Sequence, residues 1–497
     1  MILGIDLGTT YSAAAYLDGD DNVQVVVNSE GQRTTPSVFY EESQGNIIIG
    51  EVAKENAVLH PKDVVSVVKN DMGKSVKYTM SSGNTYIPEQ ICAFIIRKIV
   101  QDAKAYSGKP INDVVITVPA YFTNSQRVAT EDAARIAGVN MVASINEPTA
   151  ALLGYIRKNK IEHGNVMVYD LGGGTFDVSI VRVDGEDIRV LANDGIARAG
   201  GHFFDIHIVD EVCRYLREKY DLDLEDDEYR EDLQDIFNRA EKCKIQLSAK
   251  EIASIPIKIG DIRDSVEITR DFFESYLSRV FRATEVRMKM ALKNAGLTVA
   301  DLNTVLMVGG SSRIPYIEKR LEDFTGRAPA RDINPDEAVA IGAAIFASLK
   351  VEETPRKAFT DVCSHGIGFL YFADRNEQKN YVLIEKNSSL PVSYTRTAQT
   401  RVRNQRSILL TVTEGESEDP EKDKKLCDRD ILLPPNLPED TDVNITYELN
   451  EFQVLHIHVD IPVEKDWHYD YEMPKETEIT PEDIAMMTGI TLRTSVS

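Results

Sequence analysis

Two short stretches carry the same set of ligating groups. Residues 2 to 19 read ILGIDLGTTYSAAAYLDG, and residues 166 to 185 read VMVYDLGGGTFDVSIVRVDG. Each passes from an apolar strand through an acid and a leucine into a glycine–threonine turn, then into a second apolar strand that stops at Asp-Gly. Glycine turns present backbone N–H groups with no Cβ to hold a ligand away, and a row of such donors suits a polyphosphate. Gly8, Thr9 and Thr10 on one side, and Gly172, Gly173, Gly174 and Thr175 on the other, could grip one phosphate chain between them. Asp6 and Asp170, each ending a strand beside its turn, are placed to hold the water shell of a magnesium ion rather than to cage it. A lone glycine-rich turn is more often only a turn. Two copies with matching acids, 164 residues apart, point to phosphate. A third turn, GGSSRIP at 309 to 315, lies between a strand and a helix, where peptide groups can pack on a nucleoside and a helix N-terminus favours an anion. None of the three has the G-x-x-x-x-G-K-[ST] spacing of a Walker site.

The elements that must position these turns read as α/β. A repeat of this length suits a duplicated lobe, each copy opening with a β-hairpin. DVVITVPAYF (113 to 122) is a buried strand followed by the helical SQRVATEDAARIAG, which stops at Gly138; NTVLMVGGSSRIPYIEKRLEDFTG is again strand, turn and helix, ending at Gly326. Helices dominate from about 205 to 250 and from 270 to 296, with the β-like ASIPIKIGDIRDSVEI between them. NPDEAVAIGAAIFASLK (334 to 350) is a helix whose small residues allow close packing. The charged VEETPRKAFT (351 to 360), with Pro355, reads as a linker. From 361 to about 465, GIGFLYF, YVLIEK, RSILLTVTEGE, DVNITYEL and FQVLHIHVDIP are short strands between polar turns, and a small β-sandwich accommodates them. The tail, 466 to 497, holds one helix signal: Thr480 as N-cap, Pro481 at the first position and Asp483 at the third.

Composition narrows the partners. The chain has 497 residues, long enough for three or more ordinary domains, and 42% of them are hydrophobic. Eighty acids against 56 bases give a formal charge of −24, which repels nucleic acid and anionic lipid surfaces. Cys92, Cys213, Cys243, Cys363 and Cys427 are far apart, odd in number and without C-x-x-C spacing, so neither a disulfide framework nor a zinc site is indicated. The opening MILGIDLG has Asp6 inside its apolar stretch and no basic region before it, unlike a signal peptide. No run approaches the ~20 apolar residues of a membrane span. A cytoplasmic protein is expected.

The motifs GIDLGTTYS, VVITVPAYF, INEPTAALLGY, YDLGGGTFDVSI, Gly200 and Gly201 followed by Asp205, VGGSSRIP and NPDEAVAIGAA resemble, in this order, the heat-shock protein 70 family of DnaK-type molecular chaperones. The resemblance is close from residue 2 to about 350. It implies a two-lobed actin-like ATPase domain (1–350, lobes about 1–160 and 161–350), then the linker (351–360) and a β-sandwich peptide-binding domain (361–465). The function implied is a stress-response chaperone that hydrolyses ATP slowly, with stimulation by partners, to control binding of unfolded or extended polypeptide. ATP or ADP, magnesium and potassium are the implied cofactors. A J-domain protein and a nucleotide exchange factor are the implied further partners.

Carried over position by position, the resemblance makes Gly8, Thr9, Thr10 and Gly172 to Thr175 the phosphate loops, with Gly200 and Gly201 beside them. Asp6, Asp170 and Asp177 order magnesium through water, and Asp6, Asp177 and Thr175 also lie near the monovalent-cation sites. Lys69 reaches the γ-phosphate and the attacking water, with Glu147 beside it, so the catalytic set is Lys69, Glu147, Asp170, Thr175 and Asp177. Glu241, Lys244 and Ser248, with Gly309, Gly310, Ser311, Arg313 and Asp336, hold adenosine. Ile245 stands where some members have an arginine that stacks on adenine, a pattern associated with bacterial members. In the β domain Phe369, Tyr371, Phe372 and Ile408 would face an extended peptide. Such roles are physically coherent, because attack of water on a γ-phosphate needs positioning and charge neutralisation more than covalent chemistry.

Three departures from the family pattern stand out. KAFT (357 to 360) replaces the leucine-rich interdomain linker, which bears on coupling between the domains. Ala143 occupies the position, three before the Asn of NEPTA, where the family often has a base, which bears on J-domain docking. No long amphipathic helical region follows the β part, so a short form lacking the helical lid, with fast peptide exchange, is expected. Beside the peptide-binding ATPase stands a second reading, an ATP-dependent regulatory or adaptor module for one dedicated protein partner. A small-molecule kinase of the same fold would need an acceptor-site motif, and none is evident. An actin-type filament has no place for the β domain.

Overall fold

The computed structural model describes every residue except 44–45, 331–333, 352–357, 373–376, 451–452 and 473–478. The first lobe contributes β1 (Ile2–Asp6), β2 (Tyr11–Leu17), β3 (Val23–Val25), β4 (Phe39–Ser43), β5 (Asn46–Ile49), α1 (Pro88–Ser107), β6 (Asp113–Val118), α2 (Asn124–Ile136), β7 (Asn140–Asn146) and α3 (Glu147–Asn159). The second contributes β8 (His163–Leu171), β9 (Phe176–Asp184), β10 (Asp187–Ile196), α4 (Gly201–Tyr220), α5 (Arg230–Leu247), β11 (Ile252–Ile259), β12 (Ile262–Thr269), α6 (Arg270–Asn294), β13 (Thr304–Val308), α7 (Pro315–Thr325) and α8 (Ala338–Val351). Local signals set the helix limits. A capping box of Thr123 and Gln126 opens α2, and Pro315 starts α7, which ends on left-handed Gly326.

The duplication is explicit in the sheets. The first runs β7-β6-β1-β2-β3 and the second β13-β8-β9-β10, each built from an antiparallel hairpin whose leading strand takes a parallel neighbour on its other side. The central strands are buried over consecutive residues, Val166 to Leu171 in β8 and Phe176 to Val181 in β9, because helices cover both faces. The lobes also exchange helices. From the first half, α3 packs on β8 and β9; α8, last of the second half, packs on β1, β2 and α3. Small side chains make this possible: a Cβ on Gly4 would overlap the Ala344 backbone, and one on Gly342 would overlap the Ala150 carbonyl.

The rest of the chain holds β14 (Ala358–Thr360), β15 (Ile367–Phe372), β16 (Gln378–Ile384), β17 (Val392–Gln399), β18 (Ser407–Glu414), β19 (Lys424–Leu432), β20 (Asp442–Leu449), β21 (Leu455–Asp460), β22 (His468–Glu472), α9 (Pro481–Arg493) and β23 (Ser495–Val496). Two four-stranded antiparallel sheets, β16-β15-β18-β19 and β17-β20-β21-β22, enclose a core that includes Leu410, Val412, Tyr447 and Ile457. One of these strands lacks an apolar alternation: β17, VSYTRTAQ, is exposed almost throughout, whereas charge-rich β19 and β22 still turn Cys427, Ile431, Tyr469 and Tyr471 toward the core. Pairing with β20, not burial, makes β17 a strand.

Of the stretch read as a linker, Val351 ends α8, residues 352–357 with Pro355 lie outside the described residues, and Ala358–Thr360 adds to the second lobe's sheet as a parallel partner of β10. The sandwich touches both lobes: Arg127 donates to Ser364 Oγ (2.9 Å), Asn146 to Asp361 Oδ2 (2.9 Å), and Asn193 N–H to Asn387 Oδ1 (2.9 Å). The capping box of Thr480 and Asp483 opens α9. Among the described residues the five cysteines form no disulfide, and no helix is long and apolar enough to cross a membrane.

Candidate functional site

The two glycine turns meet across the cleft between the lobes. Gly8 N–H donates to Ser12 Oγ (3.2 Å), and Ser37 Oγ closes the first turn by donating to the Gly8 carbonyl (2.8 Å). The second is closed by Gly172 N–H to the Thr175 carbonyl (3.1 Å). A Cβ on Gly174 would lie 2.8 Å from both Thr9 Cγ2 and Asn70 Oδ1, and one on Gly173 would overlap the Thr10 side chain. Only glycine lets the turns approach so closely. Behind them the first turn of α4 is anchored by Gly201 N–H to the Gly172 carbonyl (3.0 Å) and His202 N–H to the Gly173 carbonyl (2.8 Å), with Gly200 packed between. Ser311 Oγ donates to the same Gly172 carbonyl (2.8 Å), which brings the third turn into the group.

Beneath the turns lies an acidic floor with one base. Lys69, 4% exposed, sits in a short 3-10 turn, Val68–Asp71, that follows Val67 at φ 51°. A β-branched residue in the left-handed region costs about 1–3 kcal/mol, so surrounding packing must enforce the turn that aims Lys69 inward. Its Nζ lies 2.5 Å from Glu147 Oε1, at the start of α3, and 5.6 Å from the Phe122 ring centre. Asp6, Asp170 and Asp177 complete the floor. Burial, reinforced by the charge of Glu147 and opposed by Lys69, raises the Asp6 carboxyl to about 7. Burial likewise lifts Asp170 and Asp177 well above the usual carboxylate range. Asp177 Oδ1 accepts from Ala120 N–H (2.8 Å), while its Oδ2, though buried, has no partner among the described residues.

Four carboxylates around one lysine lack positive charge, and one oxygen of Asp177 is left without a partner among the described residues. Both fit a hydrated cation. Among the described residues no three His, Cys, Asp or Glu side chains converge closely enough to cage an ion.

The cleft is open to solvent and holds about 410 Å³ of free space. Of the residues named from the motifs, Asp6, Gly8, Thr9, Thr10, Lys69, Glu147, Asp170, Gly172, Gly173, Thr175, Gly201, Glu241, Lys244, Gly309, Gly310, Ser311, Arg313 and Asp336 line it. Gly174, Asp177 and Gly200 stand directly behind that lining. Ser248 does not line it, because it caps the end of α5 with its N–H turned back to the Ile245 carbonyl. Ile245, 63% exposed, lies on the rim. Arg313 pairs with Asp336 at 2.6 Å.

The cleft is also lined by Asp205, named from the sequence only as part of the Gly200–Gly201 motif, and by His202 and Tyr11, which the sequence did not single out. Asp205 holds Lys244 at 2.8 Å and, through burial, has its carboxyl raised to about 6. Burial, with Lys244 and Arg198 nearby, lowers the pKa of His202. Tyr11 accepts a hydrogen bond from Lys54 Nζ (2.8 Å), which also pairs with Glu241 at 2.6 Å and so ties the lobes together over the cleft.

The aromatic residues of the β domain divide in two. Phe369, 6% exposed, is in the sandwich core against Tyr381 and Tyr447, and Ile408 is half-buried beside it. Tyr371 and Phe372, at the end of β15, are exposed, and the Arg401 guanidinium lies 5.2 Å above the Phe372 ring.

Comparison with known proteins adds the last observations. A family model described as Hsp70 protein matches residues 2–489. Chaperone protein DnaK from two strains of Halobacterium salinarum is in each case 36% identical over 464 residues, which cover 92% of this chain and 72% of the relative.

Proposed function

The chain belongs to the Hsp70 family, whose DnaK-type chaperones are ATPases, and on that premise we propose that its inter-lobe cleft hydrolyses ATP to control polypeptide binding by the β sandwich. In this reading the N–H groups of the glycine turns and the hydroxyls of Thr9, Thr10 and Thr175 bind the phosphates. Glu241, Lys244, Ser311 and Arg313 hold the nucleoside. Asp6, Asp170 and Asp177 hold the water shell of magnesium. When bound, that ion neutralises phosphate charge, and a potassium ion near Asp6, Asp177 and Thr175 would add to it. Lys69 adds a fixed positive charge at the γ-phosphate and, with Glu147, orients the attacking water. The convergence of two glycine turns on the Lys69–Glu147 pair carries this reading.

A path from the floor to the sandwich supports coupling despite the KAFT linker. Asp177 accepts from Ala120 N–H, the Tyr121 side chain bonds Thr175, and the Tyr121 carbonyl meets His365 Nε2 at 2.6 Å. A change at Thr175 or Asp177 on hydrolysis therefore reaches the first residues of the sandwich through one short segment. Unfolded polypeptide is the ligand we assign to it, a J-domain protein and an exchange factor its further partners. Ala143, buried on β7, offers no charge for J-domain docking. The experiment is ATP turnover with and without an array of unfolded peptides. Turnover should rise with peptide, and an unchanged rate without binding at micromolar peptide would end this reading. A second reading, one dedicated protein partner, is favoured by the small aromatic patch of Tyr371 and Phe372; capture of a single stoichiometric protein instead of many unfolded chains would decide for it.

A further inference from the structure

The sandwich has a second attachment to the first lobe, remote from the nucleotide chemistry. Beyond β22 and residues 473–478, which lie outside the described residues, α9 packs on α1 and α2 through a stripe at helical spacing: Ile484, Met487 and Thr491, the last two buried. β23 then adds in parallel to β5. Ile49 N–H donates to the Ser497 carbonyl (2.9 Å), and Ser497 N–H to the Ile47 carbonyl (3.1 Å). Arg97 of α1 closes the end of α9, donating to the carbonyls of Leu492 (3.0 Å) and Thr494 (2.9 Å), where a cation also suits the helix dipole. The family match stops at residue 489, so Arg97's acceptors and β23 lie beyond it.

The same first-lobe helix is gripped at its other end by the sandwich. Asn124 N–H, at the start of α2, donates to Glu414 (3.0 Å), and Lys424 donates to Ser125 Oγ (2.8 Å). The sandwich and the segment that follows it therefore hold α2 from both ends.

We propose that residues 480–497 are a strap: an intramolecular ligand of the first lobe that limits how far the β sandwich can leave the ATPase lobes. The eight steps from Glu472 to Thr480 span less than ~30 Å even when fully extended. With the strap seated, a sandwich that loses its contacts to Arg127, Asn124 and Ser125 stays within that radius, at the millimolar effective concentration, in order of magnitude, that a short tether provides. Full separation requires α9 and β23 to unseat as well. This makes release of the strap a second control on domain separation, whichever ligand the sandwich takes.

The test compares the full chain with Met487→Asp, which puts a charge at the α9 seat, and with Ser497→Pro, which only removes the N–H donated to Ile47. Amide exchange at Ile49 reports strap seating, and small-angle scattering with ADP bound reports domain separation. Ile49 should be protected in the parent chain and exchange at least about fivefold faster in both variants, the scale of one lost hydrogen bond. The radius of gyration should rise alongside. Ile49 exchange as fast in the parent as in the variants overturns the proposal, and so does release of the strap with unchanged dimensions. Should Met487→Asp not fold, judged by circular dichroism and nucleotide affinity, Ser497→Pro carries the same comparison.

Discussion

The nucleotide cleft and the β sandwich use their characteristic residues in opposite ways. In the cleft, residue identity follows from approach distance: Gly174 faces Thr9 and Asn70 with no space for a methyl group. In the sandwich, residues of one chemical kind, Phe369 and Phe372, sit three positions apart on one strand, one in the core and the other under an arginine at the surface. A site made by close backbone contact leaves a mark in the sequence that few other structures would leave. A site made by apolar surface does not, since a core leaves the same mark.

The largest expected effect tests the sandwich side of this contrast. Phe369→Ala should lower stability by about 3–5 kcal/mol, as for a fully packed aromatic residue. Phe372→Ala should change stability by less than about 0.5 kcal/mol yet weaken peptide binding severalfold. Chemical denaturation and peptide titration of both variants separate these effects, and equal stability losses would erase the distinction. On the cleft side, Lys69→Ala should bind ATP but turn it over ~10²–10³-fold more slowly, the scale for removing one preorganised charge donor. Single-turnover rates measure this; an unchanged rate removes Lys69 from the mechanism. Gly174→Ala should cost about tenfold or more in nucleotide affinity, since the Thr9 and Asn70 side chains must give way to the added methyl group. Calorimetry that finds native affinity would show the turns to be more yielding than their contacts imply.

A subtler effect concerns pH. The Asp6 carboxyl is raised in the folded chain to about 7 from an ordinary 3.8, so between those values the folded protein holds a proton that the unfolded chain has lost. Folding without nucleotide should therefore gain stability from Asp6 as pH falls through about 7, a gain complete near pH 4. Magnesium–nucleotide binding needs the ionised form and should weaken as pH falls from 8 to 6, by up to about tenfold per unit. Asp6→Asn should flatten both trends in melting and titration experiments; trends that persist would assign them to another group. Smallest of all, Lys54→Ala should speed nucleotide release only severalfold, because the Lys54–Glu241 pair is partly exposed and partly screened. Stopped-flow release of a fluorescent nucleotide would show it, and no change would mean that the pair does not hold the lobes.

Much of the cleft was legible because its constraints are local. Asp6 with Gly8 to Thr10, and Asp170 with Gly172 to Thr175, are short strings whose glycines make little sense in plain strands. Gly138 and Gly326 marked helix ends for the same reason. What was not legible depended on partners distant in the chain. Lys244 was named for the nucleoside, but its pairing with Asp205, thirty-nine positions earlier, has no mark in the local sequence. Tyr11 reads as an ordinary strand residue until Lys54 reaches it. In the sandwich, β17 is held by hydrogen bonds to β20 while its side chains face outward, so alternation gives no sign of it. The pairing of Ala358–Thr360 with β10 was hidden likewise: three residues of mixed type have no periodicity to read.

The exchanged helices α3 and α8 have a mechanical consequence. Where most packed interfaces interlock through side chains, here Gly342 rests on the Ala150 carbonyl and Gly4 on the Ala344 backbone. At these two points the exchanged helices meet backbone directly, so the seam has no slack: a single methyl group at Gly4 would push α8 off β1, and one at Gly342 would push it off α3.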